Sequence, residues 1–212
     1  MKIGLIGTGM IGGTLAHLLA PLGHEVAVSN RRGPESLQPM LAELGPTAHA
    51  MTVEEAARWA DVVVLAVPWR SPEALPPPEA VEGKVVVDAM NPYRAWGGTY
   101  DLGDSTSSEE THKRLPGARL VKAFNTIYFR HLATEGRPDL PDDDRRAIFV
   151  ASDDSGAKAT VSAIIRQLGF APVDAGTLRD GVHLEPGSPV YNQQLCAKEA
   201  RERLAALARG AS

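Results

Sequence analysis

Six residues near the N-terminus, Gly7-Thr8-Gly9-Met10-Ile11-Gly12, form a G-x-G-x-x-G pattern. Such a turn can hold a pyrophosphate, provided that it follows a strand, opens a helix and leads to a second strand about 20 residues on. All three conditions are met here. Lys2–Ile6 is a short apolar run, and Met10–Leu22 has helical spacing, with Ile11, Leu15, Leu18, Leu19 and Leu22 along one side. Glu25–Ser29 reads as the second strand. Gly7 would allow the tight turn, Gly9 the close approach of backbone to phosphate, and Gly12 the close packing of helix on strand. The exposed N–H groups and the helix dipole would then face the anion.

The second strand ends in Ser29-Asn30-Arg31-Arg32-Gly33. A fold of this kind that takes NAD places Asp or Glu there, to hold the ribose 2′-hydroxyl. A carboxylate would repel a 2′-phosphate, whereas two guanidiniums and a hydroxyl attract one. Each charge-assisted hydrogen bond contributes about 1.5–3 kcal/mol. The expected dinucleotide is therefore NADP(H), with Ser29, Asn30, Arg31 and Arg32 around its 2′-phosphate.

Ligands of such sheets bind at the carboxyl ends of the strands. The segments expected around the nicotinamide are Ala66-Val67-Pro68-Trp69, Asp88-Ala89-Met90-Asn91-Pro92-Tyr93 and Ala123-Phe124-Asn125-Thr126-Ile127-Tyr128. Pro68 and Pro92 would hold rigid turns against the ring, or simply end their strands. Asn91, Asn125 and Thr126 could bond the carboxamide or the second substrate; Asn125 and Thr126 could equally make local turn bonds. No acid–base or nucleophilic constellation is evident, and no catalytic residue is assigned. The six histidines are scattered, and His183 alone falls in a loop that could border the cleft. Lys122 sits within a strand, and its neighbour Asn125 on the following turn, so the two do not form a helical Lys-Asn pair. Hydride transfer needs neither acid nor base; it needs donor and acceptor carbons aligned about 3–3.5 Å apart. The roles of His183 and Tyr191 are left unassigned.

The elements that must position these groups alternate. Further strands are expected at Ala48–Met51, Val62–Val67, Val85–Ala89, Arg119–Phe124, Ala147–Ala151 and Ala171–Asp174. Helices are expected at Glu35–Leu44, after an N-cap at Thr52, at Ser107–Leu115 with a capping pattern from Ser107 to Glu110, at Ser155–Leu168 and at Gln193–Arg209. Pro72–Pro78 reads as a loop in place of a crossover helix, and Asp142–Asp144 as a solvated turn. The expectation is an α/β, Rossmann-type doubly wound, mostly parallel sheet of about eight strands with a short C-terminal helical appendage. Residues 1–176 would be the NADP-binding domain, with 177–212 a loop and helix packed on it.

The chain has 212 residues, 43% hydrophobic, with a net charge of −4. That balance gives no reason to expect nucleic acid. The single cysteine, Cys196, allows no internal disulfide, and no metal site is expected. The opening residues are too short and glycine-rich for a signal peptide, and no apolar stretch would span a membrane. A cytoplasmic protein, without membrane partners, is the expectation, and a homodimer is the default oligomer.

The phosphate loop, Ser29-Asn30-Arg31-Arg32, Val67-Pro68-Trp69, Asn91-Pro92 and Val121-Lys122-Ala123-Phe124-Asn125-Thr126 together resemble the NADP oxidoreductase, coenzyme F420-dependent family. The F420H2:NADP oxidoreductases belong to it, and the cytosolic domain of the STEAP metalloreductases is a relative. The resemblance runs from Lys2 to Gly176. It implies NADP(H) across the strand ends, a deazaflavin or flavin beside the nicotinamide, and direct hydride transfer between them. It puts the phosphate-loop role on Thr8, Gly9, Met10 and Ile11. The nicotinamide wall falls on Ala66, Val67, Pro68, Asn91 and Pro92, and the acceptor side on Phe124, Asn125 and Thr126. The small-molecule acceptor could be F420, a flavin or another flat compound. Two other readings stand beside this one. An imine or β-hydroxyacid reductase shares the N-terminal pattern, usually with a large helical domain after it. A non-enzymatic NADP-binding regulator would need no acid or base.

Overall fold

The computed structural model describes residues 1–210. Eight strands form one sheet: β1 (Lys2–Ile6), β2 (Glu25–Ser29), β3 (Ala48–Ala50), β4 (Val62–Leu65), β5 (Val85–Asp88), β6 (Arg119–Ala123), β7 (Ala147–Ala151) and β8 (Ala171–Asp174). Their spatial order is β3-β2-β1-β4-β5-β6-β7-β8. All neighbours run parallel except β6 and β7. The chain builds outward from β1 in one direction and then returns to its other edge with β4. That reversal opens a crevice at the strand ends of β1 and β4.

The Val-rich runs of β4 and β5 are buried along their whole length because helices cover both faces. On one face, alternate strand residues such as Ile3, Leu5, Val26, Val62 and Val121 pack on α1 (Met10–Leu19) and α6 (Ser155–Gln167). On the other, Ile6, Val63, Leu65 and Val86 meet α3 (Val53–Trp59), Trp69 and Leu115. A third cluster joins Phe149 and Val173 to Leu184, Val190, Leu195, Ala197 and Ala200, which holds the C-terminal segment on the sheet. The remaining helices are α2 (Gln38–Leu44), α4 (Ser107–Arg114), α5 (Phe129–Thr134) and α7 (Ala197–Gly210).

The expected architecture is the one found, with local differences. The first helix stops at Leu19 and a 3-10 turn, Ala20–Leu22, follows, because Pro21 has no N–H to continue the ladder. Residues 35–44 divide between Leu37 and Gln38 into a 3-10 turn and α2, with Pro39 in the first turn of α2. The fourth strand ends at Leu65 rather than Val67, just before Pro68. The helix α5 was not expected. The last helix starts at Ala197 rather than Gln193, since Cys196 forms a bridge to Arg146 and is still extended. The α4 cap is Thr106 with Glu109, not Ser107 with Glu110. Both Ser107 and Ser108 are instead turned into the protein, onto a buried lysine and a buried aspartate.

That polar cluster lies under the ends of β5 and β6. Lys122 is 1% exposed and Asp88 fully buried. Lys122 Nζ donates to the Met90 carbonyl at 2.6 Å and to Ser107 Oγ at 3.1 Å, and lies 3.5 Å from Asp88 Oδ2. Asp88 accepts from the Met90 N–H at 3.0 Å and from Ser108 Oγ at 2.7 Å. Removing one member leaves the other charge buried and uncompensated, which costs about 3–5 kcal/mol. Lys122→Met is therefore expected to lower unfolding stability by about that much, read as the midpoint shift in urea titration. A change within about 0.5 kcal/mol would show that the pair does not support the fold.

Candidate functional site

The glycine turn connects β1 to α1. Gly7 has φ +101°, and a Cβ there would come within 2.5 Å of the Ala66 carbonyl oxygen. A Cβ on Gly12 would lie 2.0 Å from the Gly7 oxygen. These two glycines are thus fixed by packing of β1, β4 and α1. Gly9 differs: its φ is −75° and a Cβ would meet nothing within 4 Å. It faces open space at the start of α1, which has no acidic residue in its first turn. The free N–H groups and the positive end of the helix dipole make this opening suited to an anion.

Three adjoining cavities run along the strand ends from this turn. The first, about 600 Å³, has Gly7, Gly9, Asn30, Arg31, Ala66, Val67, Pro68 and Arg70 in its walls. The second, about 360 Å³, shares Gly9, Ala66, Val67, Pro68 and Arg70, and adds Met10, Ile11, Met90, Asn91 and Tyr93. The third, about 260 Å³, shares Met10, Ile11, Asn91 and Tyr93, and adds Phe124, Asn125, Ile127, Tyr128, Phe129 and Tyr191. Thr8 faces a separate depression beside α1.

At the first end, Asn30 orders the loop after β2. Its Oδ1 accepts from the Arg32 N–H at 2.8 Å and from Ser36 Oγ at 3.2 Å. Arg31 lines the cavity; Arg32 is exposed outside its wall. Among the described residues neither forms an ion pair. Ser29 departs from expectation. It is fully buried and donates to the Leu5 carbonyl at 3.1 Å, because it is still inside the β1–β2 ladder. Its hydroxyl does not reach the cavity. Arg70, not anticipated from sequence, does.

At the far end, two asparagines lock together. Asn91 Nδ2 donates to the Asn125 carbonyl at 3.0 Å, and Asn125 Nδ2 donates to Asn91 Oδ1 at 3.1 Å and to the Leu184 carbonyl at 2.8 Å. Asn125 Oδ1 is buried with no partner among the described residues. An unpaired buried acceptor costs about 1–3 kcal/mol unless a ligand supplies a donor. The Phe124 backbone is left-handed, with φ +64°, a conformation that costs a non-glycine residue about 1–3 kcal/mol. Strain of this size beside a cavity points to a site. Pro92 and Thr126 are buried and form no part of these walls. Pro92 instead accepts from the Tyr100 N–H, and the Thr126 carbonyl accepts from the Asn192 N–H. His183 lies on a 3-10 turn outside the three cavities. Tyr191 lines the third, with its hydroxyl 2.6 Å from that of Tyr93. Burial, then the bond to Tyr93, holds its phenol well above the usual tyrosine pKa.

The residues present fit a phosphorylated dinucleotide. The turn offers an opening suited to an anion at Gly9, Arg31 and Arg70 line the first cavity with no ion-pair partner among the described residues, and Asn125 Oδ1 lies unpartnered at the other end. A profile described as NADP oxidoreductase, coenzyme F420-dependent matches residues 2–92. A solved structure from Arthrobacter sp., provisionally described as an F420-dependent NADP reductase, is 28% identical. It covers all of this chain and 94% of its own, with a TM-score of 0.73. Residues 2–92 thus carry the pattern of this family, and the fold continues through the rest of the chain as in the Arthrobacter structure.

Other relatives and solved structures extend the comparison. A hypothetical protein from Sinorhizobium meliloti is 33% identical over 92% of this chain and 95% of its own, with a TM-score of 0.80. The rat metalloreductase STEAP3 is 27% identical over 87% of this chain. The chain spans only 36% of that protein, so about a third of the curated relative's length. An imine reductase from Pseudomonas sp., at 20% identity and TM-score 0.59, shares the fold. Among the described residues, no helix is long and apolar enough to cross a membrane.

The geometry at the glycine turn separates folding from binding. Gly9→Val adds a side chain to open space at an ordinary φ, so its melting temperature should stay near that of the unaltered protein. Its valine would occupy the anion site, and NADPH fluorescence titration should show no saturable binding. Retained binding would remove the phosphate role from this turn.

Proposed function

We propose that this chain binds NADP(H) along the strand ends and passes hydride between it and F420 or another flat, flavin-like acceptor. The observation that carries this reading is the line of three cavities sharing walls, from Arg31 through Gly9 and Asn91 to Phe124. It has the charge of a 2′-phosphate site at one end and a neutral, partly aromatic chamber at the other.

On this reading each residue has a bounded task. The N–H groups of Thr8, Gly9, Met10 and Ile11 hold the pyrophosphate. Asn30 shapes the loop from which Arg31 reaches the 2′-phosphate, with Arg32 and Arg70 adding positive potential. Ala66, Val67, Pro68 and Asn91 wall the nicotinamide, and Asn125 Oδ1 accepts from its carboxamide. Bound NADPH supplies the hydride. The chain supplies orientation and a largely apolar chamber, with Phe124, Ile127 and Phe129 at the acceptor side. The relatives' descriptions, an F420-dependent NADP reductase and metalloreductases, agree with a reductant-handling site.

Arg31→Ala should weaken NADPH binding by roughly 10- to 100-fold, the loss of one charge-assisted contact, and Arg32→Ala by less. NADH binding should change little in either. Equal losses for both dinucleotides would rule out recognition of the 2′-phosphate. Stopped-flow mixing of protein and NADPH with F420, FMN or riboflavin then tests the acceptor. Oxidation by F420 alone fixes F420:NADP exchange, and oxidation by flavins alone makes the protein a flavin reductase. Tight NADPH binding with no oxidation by any of the three would overturn the reading.

A further inference from the structure

Adding hydride to one end of a conjugated C=N or C=O system leaves an electron pair on the far heteroatom, which a nearby O–H group can protonate. The third cavity holds one built arrangement of O–H groups. Asn125 fixes Asn91, and Asn91 Nδ2 donates to the Tyr191 hydroxyl at 3.2 Å. Tyr191 and Tyr93 then meet hydroxyl to hydroxyl at 2.6 Å. Both tyrosines line the chamber, and Tyr93 also lines the middle cavity.

The two phenols differ in exposure, and the difference favours one direction for their shared bond. Tyr191 is half-buried in the chamber wall, and among the described residues the one acceptor recorded for its proton is Tyr93. A buried O–H left without an acceptor costs about 1–3 kcal/mol. Tyr93 is 41% exposed and can turn its proton to the chamber or to water. The favoured chain therefore runs from Asn91 to Tyr191 to Tyr93, leaving the Tyr93 proton free to point outward.

We propose that Tyr93 is the proton donor to the hydride acceptor, with Tyr191 and Asn91 as its positioning residues, so that the acceptor is one that takes up a hydride and a proton together. This inference rests on the reading of function above. Hydride leaves C4 of NADPH with its electron pair and forms the new bond on the acceptor. The acceptor heteroatom gains the Tyr93 proton, and solvent at the exposed edge of Tyr93 restores it. The sum is NADPH plus acceptor plus one proton, giving NADP⁺ and the two-electron-reduced acceptor. In the reverse direction Tyr93, deprotonated to solvent, receives the proton.

The test uses Tyr93→Phe and Tyr191→Phe in the full chain. Equilibrium quenching of FMN, riboflavin and F420 fluorescence by the NADP⁺-saturated protein reads the ground-state hydrogen bond. Tyr93→Phe should weaken acceptor binding roughly 3- to 10-fold, with NADPH affinity unchanged. In single-turnover stopped flow it should slow NADPH oxidation on the order of a hundredfold and abolish the solvent deuterium isotope effect of the unaltered protein. Tyr191→Phe should slow oxidation less and keep that isotope effect, because Tyr93 retains its proton. Both variants with the unaltered protein's acceptor affinity, rate and isotope effect would overturn the inference alone. If the unaltered protein neither binds nor reduces any of the three acceptors, the functional reading fails and takes this inference with it. That outcome is recognisable because the variants are not needed to see it.

Discussion

The ammonium of Lys122 holds the asparagine–tyrosine end of the crevice from beneath. Its shortest bond is to the Met90 carbonyl, 2.6 Å away, whereas Asp88 is 3.5 Å off at the edge of hydrogen-bonding range. Asp88 in turn takes the Met90 N–H and the Ser108 hydroxyl. Met90 is thus bonded at both its N–H and its carbonyl by side chains that cannot move without exposing a buried charge. The next residue is Asn91, which builds the locked asparagine pair and reaches Tyr191. Burial of a lysine is costly unless its partners are all in place. The same partners make the cluster a rigid support: β5, β6 and the first turn of α4 meet at one point, and the chamber walls grow from it.

A second constraint fixes the other end. The Cβ positions of Gly7 and Gly12 are filled by the Ala66 and Gly7 carbonyls, so the turn can close only with glycine at both. That close packing brings Ala66 and Val67 against the turn and makes them a common wall for two cavities. Gly9 stands between the two packed glycines with nothing near it. The contrast within one motif shows which glycine is free for a ligand and which two belong to the fold.

Much of this was legible in the sequence because it is local. The glycine spacing, the arginines after β2 and the alternation of Val-rich runs with capped helices each declare themselves within a few residues. The misplaced details have physical causes. Ser29 looks like a ligand residue by position, yet the ladder of β1 and β2 extends through it and buries its hydroxyl. The α4 cap slipped by one residue because Ser107 and Ser108 are claimed by Lys122 and Asp88, a demand that no capping pattern records. Pro92 and Thr126 sit next to wall residues but point into packing. Tyr191 was the least legible: its partner Asn91 is 100 residues away, and no periodicity joins them. Arg70 was missed because its neighbourhood reads as a proline-broken loop.

The two ends of the crevice differ in the kind of interaction they can offer, and the difference bears on how a turnover cycle could proceed. Arg31, Arg32 and Arg70 are exposed charges, screened by salt and able to attract a polyanion from a distance. The other end has no ionised group in its walls; it offers amides, phenols and hydrocarbon. Neutral hydrogen bonds of this kind are weak but directional, and in a low-dielectric chamber an unmatched one is penalised. In the proposed complex, affinity would therefore be concentrated at the phosphates, far from the reacting atoms. Discrimination would fall to Asn91, Asn125 and the tyrosine pair. A planar heteroaromatic satisfies such walls, stacking on the apolar surface while its edge atoms meet the O–H and N–H groups. An acceptor whose ring itself carried a full charge would lose its hydration there with nothing to replace it. In the proposed complex the chamber would thus select by shape and by hydrogen-bonding edge, the form of selection that suits hydride transfer between two rings.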